Sequence, residues 1–183
     1  MKKIAILPLL LAVCFVIAAQ AQTAAAKPSP EMKMLHSLLG HWTYEGEYQA
    51  TPVSTADKTT GEVTFQMVLG GFYLQSRWAE KGSAGELHAI EMDGYDPAAK
   101  SLAYTFYSDD GNTLSGTFAF NANTATTAAK YFFGGKEYMV RQTNTFAADW
   151  MTATWKGEIS TDGKTWMPWY EVKMTKVKPA AKK

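Results

Sequence analysis

LLGHWTYEGEY, residues 38–48, is where the chain changes its period, and that change decides the fold. Ahead of it, Met32, Leu35, Leu38 and Leu39 recur at the spacing of one helix face, with Ser29 placed as N-cap, Pro30 at the first helical position and Gly40 as the stop. From Trp42 onward the period is two. Trp42, Tyr44, Gly46 and Tyr48 alternate with Thr43, Glu45 and Glu47, the pattern of a strand with one buried and one wet face. A short helix therefore leads into a first strand.

Similar runs follow at 62–69, 72–79, 86–92, 101–107, 113–120, 129–133, 138–146, 151–159 and 166–176. Turn chemistry separates them: Gly70-Gly71, Gly94-Tyr95-Asp96-Pro97, Asp109-Asp110-Gly111-Asn112, Asn121-Ala122-Asn123, Gly134-Gly135 and Thr161-Asp162-Gly163-Lys164. About ten strands joined by short turns form an up-and-down antiparallel meander. Closing such a sheet on itself removes its exposed edges, so the expected fold is an all-β, up-and-down antiparallel barrel with a short N-terminal helix. A two-sheet sandwich shares the same cues and stands as the alternative.

Residues 1–21 read as a signal peptide: Lys2 and Lys3 precede an apolar run that ends in Ala19-Gln20-Ala21, with cleavage expected before Gln22. The run is shorter than the roughly 20 residues a spanning helix needs, and no later stretch approaches that length, so no transmembrane segment is expected in the mature chain. The expected location is periplasmic or secreted. Cys14 lies inside the discarded run, and Val13 before it is larger than the residue that precedes a lipoprotein cysteine. The mature chain then has no cysteine for a disulfide, a nucleophile or a metal.

The expected organisation is a flexible Ala/Pro/Ser/Lys linker over 22–30, one barrel domain over 31–177 and a basic tail over 178–183. Removing Lys2 and Lys3 turns the formal charge from +1 to −1, and the C-terminal lysines Lys176, Lys178, Lys182 and Lys183 leave the folded body at −5. A body of that sign lacks the basic face a nucleic acid requires, so no nucleic-acid partner is expected.

The segment around Gly40 and Trp42 resembles the Gly-x-Trp signature of lipocalins and related calycins, in which a short helix precedes the first strand and the Trp plugs the closed end. More closely, LLGHW, MVLGGFYL (67–74), GYDP (94–97) and YSDDGNTLSG (107–116), in that order, resemble the bacterial family known as domain of unknown function 1579. The resemblance implies a calycin-like barrel over nearly the whole mature domain and assigns no activity. In classical lipocalins a basic side chain from the last strand covers the Trp; Lys173 is the candidate for that place, and its alternation with Tyr170, Val172 and Met174 leaves its direction open.

His36, His41 and His88 include no pair at metal-ligand spacing. Haem barrels of the nitrobindin kind use a late histidine, whereas no histidine follows His88, so no cofactor is expected. No G-x-S-x-G elbow occurs, and Asp93 and Asp96, around Gly94-Tyr95 and before Pro97, read as turn residues bonding local backbone. No enzyme is expected on these grounds.

The aromatic load, six Trp, nine Tyr and nine Phe, falls mostly on strands and lines the interior of any barrel they form. A barrel of about eight strands fills with side chains, whereas a larger one leaves room. Trp42, Tyr44, Arg77, His88 and Tyr104 are the candidate lining residues. Arg77 and Arg141, the two arginines, each sit in a strand run, and an inward one needs a partner such as a ligand carboxylate. The expected function is binding a small hydrophobic or amphiphilic ligand, with a filled structural or protein-interaction module of the envelope as the alternative.

Overall fold

The computed structural model describes residues 26–179, so the segment read as a signal peptide lies outside the described residues. A single helical turn, α1 (Met32–Leu35), runs into a 3₁₀ turn (His36–Leu38) and then into ten strands: β1 (Gly40–Tyr48), β2 (Asp57–Val68), β3 (Tyr73–Gly82), β4 (Gly85–Asp96), β5 (Ser101–Ser108), β6 (Thr113–Asn121), β7 (Thr124–Phe133), β8 (Lys136–Phe146), β9 (Thr152–Ser160) and β10 (Met167–Lys176). Each strand pairs antiparallel with the next. β1 also pairs with β10, from Trp42↔Lys176 to Tyr48↔Tyr170, and this ladder closes the sheet into a barrel rather than a sandwich.

The helical turn closes one end. Met32, Leu35 and Leu38 are buried under it, and the Trp42 indole N–H donates to the Leu38 carbonyl at 2.7 Å, tying the plug of the barrel to the helix. Ser29 does not cap with its side chain. Its carbonyl accepts from the Met32 N–H at 3.0 Å, and its hydroxyl donates to Glu31. At the other end Val53, from the 49–56 connection, is buried with Tyr138, Val140, Ile159 and Trp169.

Alternation runs as expected through β1, where Trp42 and Tyr44 are buried and Thr43 and Glu45 exposed. Two departures from strict regularity shape the interior. β10 carries a bulge between Pro168 and Tyr170, so consecutive residues Trp169 and Tyr170 both face inward. Gly61 stands opposite Tyr44, whose ring lies across it: a Cβ there would meet the ring at 2.4 Å. β7 begins at Thr124, five residues ahead of the expected run, because the tract Thr124-Ala-Thr-Thr-Ala128 has no large side chain to mark an inner face. Gly134 and Gly135 adopt left-handed φ of 57° and 75°, as a tight two-residue hairpin requires.

Candidate functional site

Between the two apolar ends the barrel holds a cavity of about 200 Å³. Its wall is largely aromatic. Trp78 sits at the centre of the rings, 5.8 Å from Tyr44, 5.9 Å from Phe65, 6.4 Å from Phe106 and 5.5 Å from Trp155 between centroids, most of them edge to face. The Trp78 N–H donates to the buried Ser76 hydroxyl at 2.7 Å, which fixes the indole plane.

Three carboxyls enter this apolar wall, and no Lys, Arg or His lines it among the described residues. Glu80, near the end of β3, accepts from the Tyr44 and Tyr48 hydroxyls at 3.1 and 3.2 Å. Burial pushes its carboxyl up while those two hydrogen bonds pull it down, and burial wins. Glu91 and Asp93 lie two residues apart on β4, hence on one face, and hydrogen-bond to each other. Such a pair shares a proton, because two adjacent carboxylates in a dry site repel. Desolvation carries Glu91 up to about 7, and desolvation with the neighbouring charge holds Asp93 well above the carboxylate range.

Tyr104 on β5 stands directly across from Asp93. It is 6% exposed, and its hydroxyl has no hydrogen-bond partner in the protein. Asn144 Oδ1, Trp155 Nε1 and Trp169 Nε1 are likewise buried without partners, and all four residues line this one cavity. Buried polar atoms are satisfied in the great majority of cases, so four unpartnered ones among the residues of a single cavity wall stand out.

Of the five residues expected to line the barrel, Tyr44 and Tyr104 do. Trp42 is inside at 1% exposure but forms the floor at the helix end rather than the cavity wall. Arg77 and His88 instead lie on the outer face: both are exposed, and His88 lies 3.8 Å from Glu86. Arg141 is also outside, in a bidentate pair with Glu158 at 2.5 and 2.8 Å, its guanidinium over the Trp166 ring. The cover over Trp42 is Lys176, not Lys173. Lys176 lies opposite Trp42, whereas Lys173, opposite Glu45, is exposed.

Sequence reasoning missed Glu80, Glu91 and Asp93. In β4, His88 shares its face with the apolar Ile90 and Met92, but the inner set is Leu87, Ala89, Glu91 and Asp93. Asp93, expected in a turn, lies within the strand. Asp96 does bond the turn, accepting from Ala98 and Ala99 N–H groups at 2.8 and 3.2 Å, while β4 runs on past Asp93 and buries it. The available signal was the spacing itself: two carboxyls at i and i+2, the second one residue past the expected 86–92 run.

Ten antiparallel strands closed around an aromatic cavity, with a short helix and a Trp at one end, define a calycin-like barrel. The chain belongs to the family described as Protein of unknown function (DUF1579), which matches residues 27–176. Among solved structures it is similar to Rv2717c from M. tuberculosis, with a TM-score of 0.62 and 14% identity over 83% of this chain and 100% of that one. It is also similar to the S-type phycobiliprotein lyase CPES from Guillardia theta, with a TM-score of 0.51 and 8% identity over 81% and 93% of the two chains. At such identities the likeness is one of fold. No curated protein matches the sequence.

Proposed function

We propose that this protein is an exported binding protein that holds a small amphiphilic molecule inside its barrel. The observation that carries the reading is a ring-lined cavity whose wall includes Tyr104, Asn144, Trp155 and Trp169, four residues each with a buried polar atom that has no partner in the protein. The size supports it. A cavity of about 200 Å³ exceeds the roughly 150 Å³ that admits benzene and falls below the roughly 300 Å³ at which drug-sized pockets begin. A ligand of one or two rings, with polar substituents, suits it.

Export rests on residues 1–21 and is tested by N-terminal sequencing of the purified protein, which should begin at Gln22. The binding reading is tested by native mass spectrometry of protein taken from its own cells, compared with the denatured mass. A reproducible extra mass supports a carrier. A bare mass, with no thermal shift across a panel of small ring compounds, returns the barrel to a structural role.

One observation favours a second reading, proton transfer on a carbonyl-bearing ligand. Glu91 near 7 is a base poised at working pH, and the unpartnered Tyr104 hydroxyl, on the residue across from Asp93, supplies a donor for the carbonyl. Solvent deuterium entering the α-carbon of a bound ketone faster than without protein tests it, and an unchanged rate removes it.

A further inference from the structure

The charge of the cavity wall says more about the ligand than its shape does. Glu80, Glu91 and Asp93 face the chamber, and among the described lining residues no basic side chain answers them. The described cationic side chains near these strands point outward: Arg77 is exposed on β3, and Lys81 pairs with Glu86 at 2.7 Å on the outer surface. A buried carboxyl without a cation either keeps its proton or receives a positive partner from outside. Tyr104, across from Asp93 in the same wall, carries a buried hydroxyl with no partner in the protein.

The rings beside the carboxyls match the same partner. Glu91 stands opposite Phe106 on β5 and opposite Ser76 on β3, and the Trp78 indole anchored by Ser76 lies next to Phe106. Aromatic faces carry negative potential and attract a cation, most strongly where water is excluded. An anionic ligand meets three carboxyls there, and a neutral apolar one leaves the buried polar atoms unpaired.

We infer that the ligand is an organic ammonium ion attached to a small ring, its nitrogen held by Glu91 and Asp93 with the Tyr104 hydroxyl, its ring among Trp78, Phe106 and Trp155. This deepens the proposed binding function and rests on the cavity being a binding site. The amine donates to the carboxyl pair, which then carries the counter-charge the wall otherwise lacks.

Calorimetric titration of the purified protein near neutral pH, with phenethylamine, phenethyl alcohol and phenylacetate in parallel, separates the possibilities. All three share one ring and one chain and differ in the charge of the end group. The expected result is that the amine binds at least about tenfold more tightly than the alcohol, that phenylacetate is weakest, and that Glu91→Gln removes the amine's advantage. Equal or tighter binding of the alcohol or the acid overturns the ammonium assignment and leaves the cavity reading standing. No heat and no thermal shift with any of the three overturns both. The comparison among ligands on the unaltered protein decides the matter even if the variant fails to fold.

Discussion

Lys176 stands across the closing ladder from Trp42, its ammonium 5.2 Å from the indole centroid and donating to the Ser37 carbonyl at 2.9 Å. Three elements meet there: the last strand, the first strand and the helical turn. The first and last parts of the domain are thereby fastened at the barrel floor, where burial lowers the affinity of Lys176 for its proton.

Lys176→Met keeps the aliphatic stem but removes both the hydrogen bond and the cation over the ring, and should cost about 1–2 kcal/mol. Lys173→Met, on the outer face, should stay within about 0.5 kcal/mol. Urea unfolding reads both, as a shift of midpoint at constant slope.

The Glu91–Asp93 pair makes stability fall toward alkaline pH. Glu91 holds its proton up to about 7 when folded, against an ordinary value of 4.5. Below 4.5 both states are protonated and the contribution is whole. Between 4.5 and 7 the unfolded chain releases the proton while the folded one keeps it, so stability drops as the pH rises. Asp93 extends the fall higher. Glu80, raised by burial, adds to it in the same direction. The tyrosines of the cavity, Tyr44, Tyr48, Tyr104, Tyr131 and Tyr170, are all pushed up by burial and stay neutral across this range. Denaturation curves near pH 5 and near pH 8 should show the protein weaker at the higher value, with Glu91→Gln flattening the difference. A flat profile in the unaltered protein would falsify the placement of a protonated pair in the wall.

Tyr104→Phe removes a hydroxyl that has no partner in the protein. The ligand-free protein should gain about 1 kcal/mol, since a buried unsatisfied polar group costs about that much or more. Ligand-induced stabilisation should shrink at the same time. Thermal melts with and without bound ligand separate the two effects, and a loss of stability in the free variant contradicts the assignment of an orphan.

Gly61→Ala drives a methyl group into the Tyr44 ring, which lies 2.4 Å from the position of the new carbon. The ring must move, and its hydroxyl loses Glu80. A destabilisation of about 1–3 kcal/mol is expected, with a changed near-ultraviolet dichroism from the displaced tyrosine.

How far the chain is legible follows from what each pattern encodes. The Leu38-to-Tyr48 stretch announces helix, plug and first strand because a switch from helical spacing to alternation is local. The strands announce themselves where large and polar residues alternate, and β7 hides its start where Thr and Ala are all that alternate. Asp96, Asp110 and Asp162 read correctly as turn residues, because their partners are two or three residues away. Asp93 read wrongly for the complementary reason: its partners, Glu91 apart, stand on other strands.

By itself, then, the sequence determined an all-β chain of about ten short strands led by a helical turn and a Trp, since period, turn chemistry and propensity act over a few residues. Only the tertiary structure decided which face of β4 looks inward, that Lys176 rather than Lys173 covers Trp42, and that a bulge turns both Trp169 and Tyr170 inside. Alternation says that a strand has two faces, but names the inner one only when the interior is apolar. Here the interior holds three carboxyls, so the closure of β1 on β10 settled what hydrophobicity could not.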